Sequence, residues 1–281
     1  MSNSTTSAMK ITILGCGYVG SAIAKFWHQA DHHLTVTTTT PDKVQQLSQF
    51  SDEVAIVNGS NFDALQKVIQ GQDVILLCMG AKNRNHYQEV YLETAKNLAA
   101  IVQNNSQVKQ IIYTSSNLVL GDKKGAWTDE TAEVTPNNAN GEILAKTEEV
   151  LLSIQSLQLK VCILRLAGIY GTNRELIKIF RSWAGTTRPG TGEYYANWIH
   201  LDDIVNGIEF ARIKELTGIY NLACDENLPV KKFFHKLFNT HNLPNLSWDE
   251  SADYIRPYNS KLSNKKIKDA GLKLIHPTII F

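Results

Sequence analysis

A chain of 281 residues with 43% hydrophobic side chains has the length of one large domain, or of one domain with a smaller appendage. Its 28 basic and 27 acidic residues leave a formal charge of +1, which argues against nucleic acid or an anionic membrane surface as the partner, and no apolar run reaches bilayer-spanning length. The cysteines Cys16, Cys78, Cys162 and Cys224 are far apart, each in or beside an apolar run. That pattern fits reduced thiols in a cytoplasmic protein rather than a disulfide framework or a zinc site.

Residues 1–9 are polar, with no basic region and no apolar core, and read as a disordered tail rather than a signal peptide. From Lys10 the order sharpens. Ile11, Ile13 and Leu14 form a short buried strand, and Gly15, Gly17 and Gly20 follow in the spacing G-x-G-x-x-G. Ala22, Ile23, Phe26 and Trp27 then recur at helical spacing. A glycine turn between strand and helix is the context of a dinucleotide site. The first glycine allows the tight turn, the second lets the backbone approach a pyrophosphate, and the third lets the helix pack on the strand. Amide groups at the helix start, including those of Tyr18 and Val19, would hold the phosphate charge.

Leu34 to Thr40 is β-branched and reads as a second strand, and Pro41-Asp42 opens a helix carrying Val44, Leu47 and Phe50. Where an NAD-preferring site usually places an acid for the ribose hydroxyls, this chain has Thr38 and Thr39, with Lys43 nearby, a pattern that leans toward NADP. Val54 to Val57 is a third strand, ended by Asn58, Gly59 and Ser60. Phe62 to Ile69 is helical with Asp63 as a candidate cap. Val74 to Cys78 is a fourth strand, ending in Met79-Gly80-Ala81, small enough to leave room for a cofactor. The polar loop after it holds Asn83, Arg84 and His86 at the sheet edge where ligands bind in doubly wound folds. A long amphipathic helix, Tyr87 to Gln103, comes next.

Val108 to Tyr113 is a fifth strand, followed by hydroxyls at Thr114, Ser115 and Ser116 and by Asn117. Residues 122–141 read as a long loop, Glu142 to Leu157 as a helix, and Lys160 to Leu166 as a sixth strand ending in A-G-I-Y-G. Beyond Gly171 the pattern loosens. Arg174 to Ala184, Ile204 to Ala211 (capped by Asp202 or Asp203) and Pro229 to Phe238 read as helices, and Gly218 to Leu222 as a strand. Gly185 to Gly192 reads as a turn region, and Ser263 and Gly271 bracket a short last helix. The alternation predicts an α/β, Rossmann-type doubly wound parallel sheet over residues 10–171. A smaller C-terminal substrate-binding lobe spans 172–281, with 198–222 returning to the first domain.

Five landmarks together resemble the extended and atypical short-chain dehydrogenase/reductases, the NAD-dependent epimerase/dehydratase family. They are the G-C-G-Y-V-G turn, Tyr113-Thr114-Ser115-Ser116 before Gly121, and Arg165 to Gly171. The others are Trp198 to Ile204, with its His200-Leu201-Asp202-Asp203, and Lys261-Leu262-Ser263-Asn264. The resemblance implies a catalytic Ser, Tyr and Lys, with Tyr and Lys four apart. Ser116 matches the serine and Lys146 the lysine, but the position four before Lys146 is Glu142. An ionised carboxylate only accepts hydrogen bonds, so it cannot copy a phenol directly, and a surface ion pair with Lys146 is an alternative role. Tyr87, Tyr91, Tyr170, Tyr194 and Tyr195 are other phenols in the chain. The resemblance further implies cofactor contacts from Asn58, Ser60, Lys146 and Ile169. Substrate contacts are expected at Asn83, Arg84, Asn117, Tyr170 and Arg188, with Asn197 and Arg256 also polar candidates. Two functions follow as expectations. One is an NAD(P)-dependent oxidoreductase or epimerase acting on a small molecule, a carbonyl, a secondary alcohol or a nucleotide sugar. The other is a dinucleotide-binding protein without turnover.

Overall fold

The computed structural model describes residues 8–104, 107–252 and 258–281. Apolar β-branched runs become strands and periodic runs become helices, in this order. β1 (Lys10–Leu14), α1 (Tyr18–Gln29), β2 (His33–Thr38), the one-turn α2 (Val44–Leu47), β3 (Glu53–Ile56), α3 (Phe62–Ile69), β4 (Val74–Leu77), α4 (Thr94–Gln103) and β5 (Gln110–Ser116) come first. β6 (Asp122–Thr128), α5 (Ala139–Ser153), β7 (Lys160–Leu166), β8 (Gly168–Tyr170), α6 (Leu176–Phe180), β9 (Thr187–Pro189) and β10 (Trp198–His200) follow. α7 (Leu201–Ile213), β11 (Gly218–Leu222), α8 (Val230–Thr240), β12 (Ser247–Asp249), β13 (Asn259–Leu262) and α9 (Lys265–Asp269) complete the chain.

Seven strands form one parallel sheet in the order β3-β2-β1-β4-β5-β7-β11, the predicted doubly wound α/β arrangement. Smaller parallel pairs join β8 to β10, β9 to β12 and β6 to β13. The chain divides into two compact units. The first runs up to Thr114 and adds Lys146–Ile163 and Ile208–Gly218; the second comprises Ser115–Ala145, Leu164–Gly207 and Ile219–Phe281. In the first unit β1 lies between β2 and β4, with Ile11, Ile13 and all of Val74–Leu77 fully buried. Strands covered on both faces read as unbroken apolar runs, which is why these two were plain in the sequence. The second unit has an aromatic core of its own. Trp198 stacks on Phe233 at 5.0 Å, and Phe180 meets Phe234 edge-on at 5.0 Å, beside Leu237 and Phe238.

Several boundaries differ from the sequence reading. The expected helix after Pro41 shrinks to a 3-10 turn, which buries no residue, and α2, which buries Leu47. The expected helix from Tyr87 begins as a π-helical segment, Gln88–Glu93, and becomes regular only at Thr94. Asn61, not Asp63, caps α3, its side chain accepting the Ala64 amide. Residues 122–128, read as loop, form β6, because their partner β13 lies far along the chain. The expected turn at 185–192 contains β9. The described part of the expected tail is anchored, the Met9 amide donating to His32 Nδ1 at 3.2 Å; residues 1–7 lie outside the described residues. Among the described residues no helix is long and apolar enough to cross a membrane.

Candidate functional site

The first unit builds the glycine turn, and each glycine has its own physical reason. Gly15 sits at φ +94°, and a Cβ there would come within 2.7 Å of Met79 Cα. At Gly20 a Cβ would overlap the Gly15 carbonyl oxygen, so α1 reaches β1 only because that atom is missing. Gly17 differs: a Cβ would meet nothing within 4 Å. The protein leaves that space open, as a pyrophosphate lying against the backbone requires. Gly17 is also the N-cap of α1. No side chain caps the helix there, and its first turn holds no acid, so the positive end of the helix faces the open space.

Two hydrogen bonds fix the turn to the next strand. Thr37 Oγ1 accepts the Gly15 amide at 3.0 Å, and the Thr37 carbonyl accepts the Cys16 amide at 2.8 Å. Sequence reasoning picked Thr38 and Thr39 and missed Thr37, whose only signal was its place at the end of the neighbouring strand. Thr38 is buried, its hydroxyl taken by the Thr40 amide at 3.1 Å, while Thr39 is exposed. The first carboxylate after this strand is Asp42, in the 3-10 turn Pro41–Lys43. Burial pushes the Cys16 thiol up, and the Lys43 and Lys25 ammonium charges, close enough to act on it, oppose the rise.

At the end of β4, Met79 is half-buried and Gly80 is exposed with open space at its missing Cβ. The Ala81 amide donates to the Tyr91 hydroxyl at 3.3 Å, and burial raises the pKa of that phenol. Asn58 and Ser60 both donate to Glu89, whose pKa their hydrogen bonds and that of His86 lower. Glu89 was invisible in sequence as a partner, since only the π-helical turn brings it to the end of β3. Asn83 is spent on a turn, its Oδ1 accepting the Asn85 amide at 3.1 Å, and Arg84 is exposed.

In the second unit Ser116 ends β5. Its Oγ accepts the Leu118 amide at 3.2 Å, which leaves the hydroxyl proton for another acceptor. The neighbouring Asn117 is 4% exposed, and its Nδ2 finds no hydrogen-bond partner among the described residues. Glu142 and Lys146 both lie on exposed positions of α5, one turn apart. Among the described residues no ion pair joins them. Ile169 pairs with Ile199 between β8 and β10, and its carbonyl accepts from Arg174 Nε at 3.0 Å. Tyr170 is 2% exposed. Its hydroxyl accepts the Ile280 amide at 3.1 Å, and burial pushes its pKa up to about 12, a poor setting for a proton donor. Arg188 stacks over Trp183 at 4.0 Å. Asn197 is buried and spent on Ser260 and Leu262 main-chain groups. Arg256 lies outside the described residues.

The geometry is therefore a phosphate-type turn in the first unit and, in the second, a hydroxyl and a buried amide at a strand end. The profile of the "NAD dependent epimerase/dehydratase family" matches residues 11–223. An epimerase family protein of Staphylococcus saprophyticus is 20% identical over 83% of this chain and 81% of its own. UDP-N-acetylglucosamine 4-epimerase from Methanobrevibacter ruminantium, solved with UDP-N-acetylmuramic acid, superposes with a TM-score of 0.78 at 15% identity, covering 95% of this chain and 93% of that one. UDP-glucuronic acid 4-epimerase from Bacillus cereus, solved with NAD, gives 0.76 at 18% identity, covering 97% and 94%. With a match over three quarters of its length, from the first strand through the end of β11, the chain belongs to the NAD-dependent epimerase/dehydratase family.

Proposed function

We propose that the chain binds a nicotinamide dinucleotide on the Gly15–Gly20 turn and moves hydride between it and a carbonyl or secondary alcohol of a small molecule, a nucleotide sugar being the favoured class. The observation that carries this reading is the open space at Gly17 in front of an uncapped helix. The bound nicotinamide would supply the hydride acceptor or donor. Everything else falls to side chains of this chain. Ser116 has a hydroxyl proton to give to the substrate oxygen. Lys146, on the face of α5 where the family carries its lysine, holds the nicotinamide ribose. Glu142 takes the place of the family's tyrosine, and the proton passes through Glu142 or through water.

The sugar-nucleotide class rests on the activities named for the two structural neighbours. Asn117, with its unpartnered buried amide, and Arg84 and Arg188, with their positive charge, suit the polar and anionic parts of such a molecule. We assign dinucleotide binding to residues 10–171 and a substrate-binding lobe to 172–281, with 198–222 returning to the first domain and with Arg84, Ser116 and Asn117 meeting the substrate from the first domain. We infer a preference for NADP over NAD, because β2 ends in Thr38, Thr39 follows it, and Lys43 stands in the next turn. Four buried cysteines that form no disulfide among the described residues suit a reducing, cytoplasmic compartment.

The exposed Glu142 in place of the family's tyrosine also favours a second reading, a protein that binds the dinucleotide without turning it over. One experiment separates them. Purified protein is given NADPH or NADH with a panel of carbonyl compounds and nucleotide sugars, and cofactor oxidation or sugar conversion is followed. Turnover supports the enzyme. Tight dinucleotide binding with no turnover across the panel supports the second reading, and no dinucleotide binding defeats both.

A further inference from the structure

Outside the glycine turn and the end of β5, the second unit gathers one more set of chemically active side chains. His200 ends β10, Asp202 lies in the first turn of α7, and His276 comes from the C-terminal segment. Asp202 Oδ2 lies 3.4 Å from His200 Nδ1 and 3.1 Å from His276 Nε2, and the three atoms all fall within 4.8 Å of one another. We propose that His200, Asp202 and His276 form a binding site for a divalent transition metal of the zinc class, which ties the C-terminal segment to the start of α7.

The His276–Asp202 separation is that of a hydrogen bond, and both separations also fit ligands that share one metal ion. Ligands about 2.0–2.1 Å from a tetrahedral zinc lie roughly 3.3 Å apart, close to the two separations seen here. The donor set, two imidazoles and one carboxylate, matches zinc and its neighbours rather than magnesium or calcium, which take oxygen donors. Three protein ligands leave a fourth position open. Asp202 is 51% exposed at its side chain, which gives an ion a path from solvent, whereas His200 is 10% exposed.

The surroundings hold two of the ligands in place, as outer groups do at metal sites. Fully buried Asp203 accepts the amides of Ile275 and His276, the latter at 3.0 Å, and so fixes the main chain that carries His276. The Tyr170 ring meets His200 edge-on at 5.2 Å. Gly171 leaves room for His200 Nε2, since a Cβ there would lie 3.1 Å from it. The Asp202 amide donates to His200 Nδ1 at 3.2 Å. A metal takes the same lone pair, and the amide, like other first-turn amides of a helix, turns to water.

The inference is independent of the dinucleotide reading. Its test uses the untagged full chain after chelator treatment. Zn²⁺ is titrated by calorimetry, and Co²⁺ by the visible bands of a nitrogen- and oxygen-ligated ion. One equivalent should bind, and His276→Ala and Asp202→Asn should each weaken binding at least tenfold. His235→Ala, a histidine on α8 outside the cluster, should leave it unchanged. A hundredfold excess over Kd should raise Tm by about 5 °C in the wild type and not in His276→Ala. Circular dichroism and metal-free Tm establish that the variants are folded, and His276→Gln serves if His276→Ala is not. No stoichiometric binding, or binding that survives both ligand substitutions in folded protein, overturns the proposal.

Discussion

Trp27 donates its indole N–H to Glu209 Oε2 at 2.7 Å, joining residues 182 positions apart. The same carboxylate forms a two-point pair with Arg212, at 2.7 and 2.8 Å, and the two charged side chains are only 15% and 4% exposed. Removing one member of a buried pair strands the other. Glu209→Ala should therefore cost about 3–5 kcal/mol of stability, measured by urea unfolding. Trp27→Phe keeps the ion pair and should cost less.

Gly17→Val should separate affinity from stability. Its side chain enters space that the protein does not fill, so Tm should change little, while dinucleotide affinity by calorimetry should fall at least tenfold. Gly15→Ala should do the opposite, lowering Tm through its φ of +94° and the close approach of Met79. Unchanged affinity in Gly17→Val would place the dinucleotide elsewhere.

Side-by-side titrations should show NADPH binding more tightly than NADH, and Lys43→Glu should reverse or abolish that order by repelling a 2′-phosphate. Tighter NADH binding by the wild type at physiological salt would remove the preference.

Glu142 and Lys146 should divide binding from turnover. Lys146→Ala should weaken dinucleotide binding. Glu142→Gln should leave binding unchanged, and Glu142→Tyr should raise carbonyl reduction, since a placed proton donor contributes on the order of a hundred- to ten-thousand-fold in rate. Brisk wild-type turnover that Glu142→Gln abolishes would instead make Glu142 the acid or base itself.

His32 is 4% exposed, and burial and the nearby Arg212 lower its pKa from 6.5. The unfolded chain therefore takes up a proton before the folded one does. Above about pH 6.5 this group costs nothing, and stability falls progressively as pH drops from there through the folded-state pKa. His32→Asn should narrow the difference in Tm between pH 8 and pH 5.5; an unchanged difference would assign the pH dependence to other groups.

What the sequence disclosed depended on how local each signal was. The glycine turn was legible because strand, turn and helix are consecutive and each glycine answers to a neighbour within the same stretch or the next strand end. β6 was not. Asp122–Thr128 reads as polar loop, and only pairing with residues 259–262 makes it a strand. The Glu89 carboxylate reached Asn58 and Ser60 through a π-helical turn that no periodicity announces. Asp202 and Asp203 read as rival caps of α7, yet the helix begins at Leu201 and Asp203 serves the main chain of residues 275 and 276 instead.

The interleaving of the two units along the chain has a consequence for synthesis. The first unit needs residues as late as Gly218, and the second, begun at Ser115, needs β13 to pair with β6 across more than a hundred residues. Neither unit can close while the ribosome is still making its middle. A nascent chain of two hundred residues must wait with the apolar strands β4, β5 and β7 already out but unfinished, exposed to aggregation or to a chaperone. Such long-range closure also predicts slow refolding in vitro. The last strands are thus timing elements: they set when the chain can become a protein as well as what shape it takes.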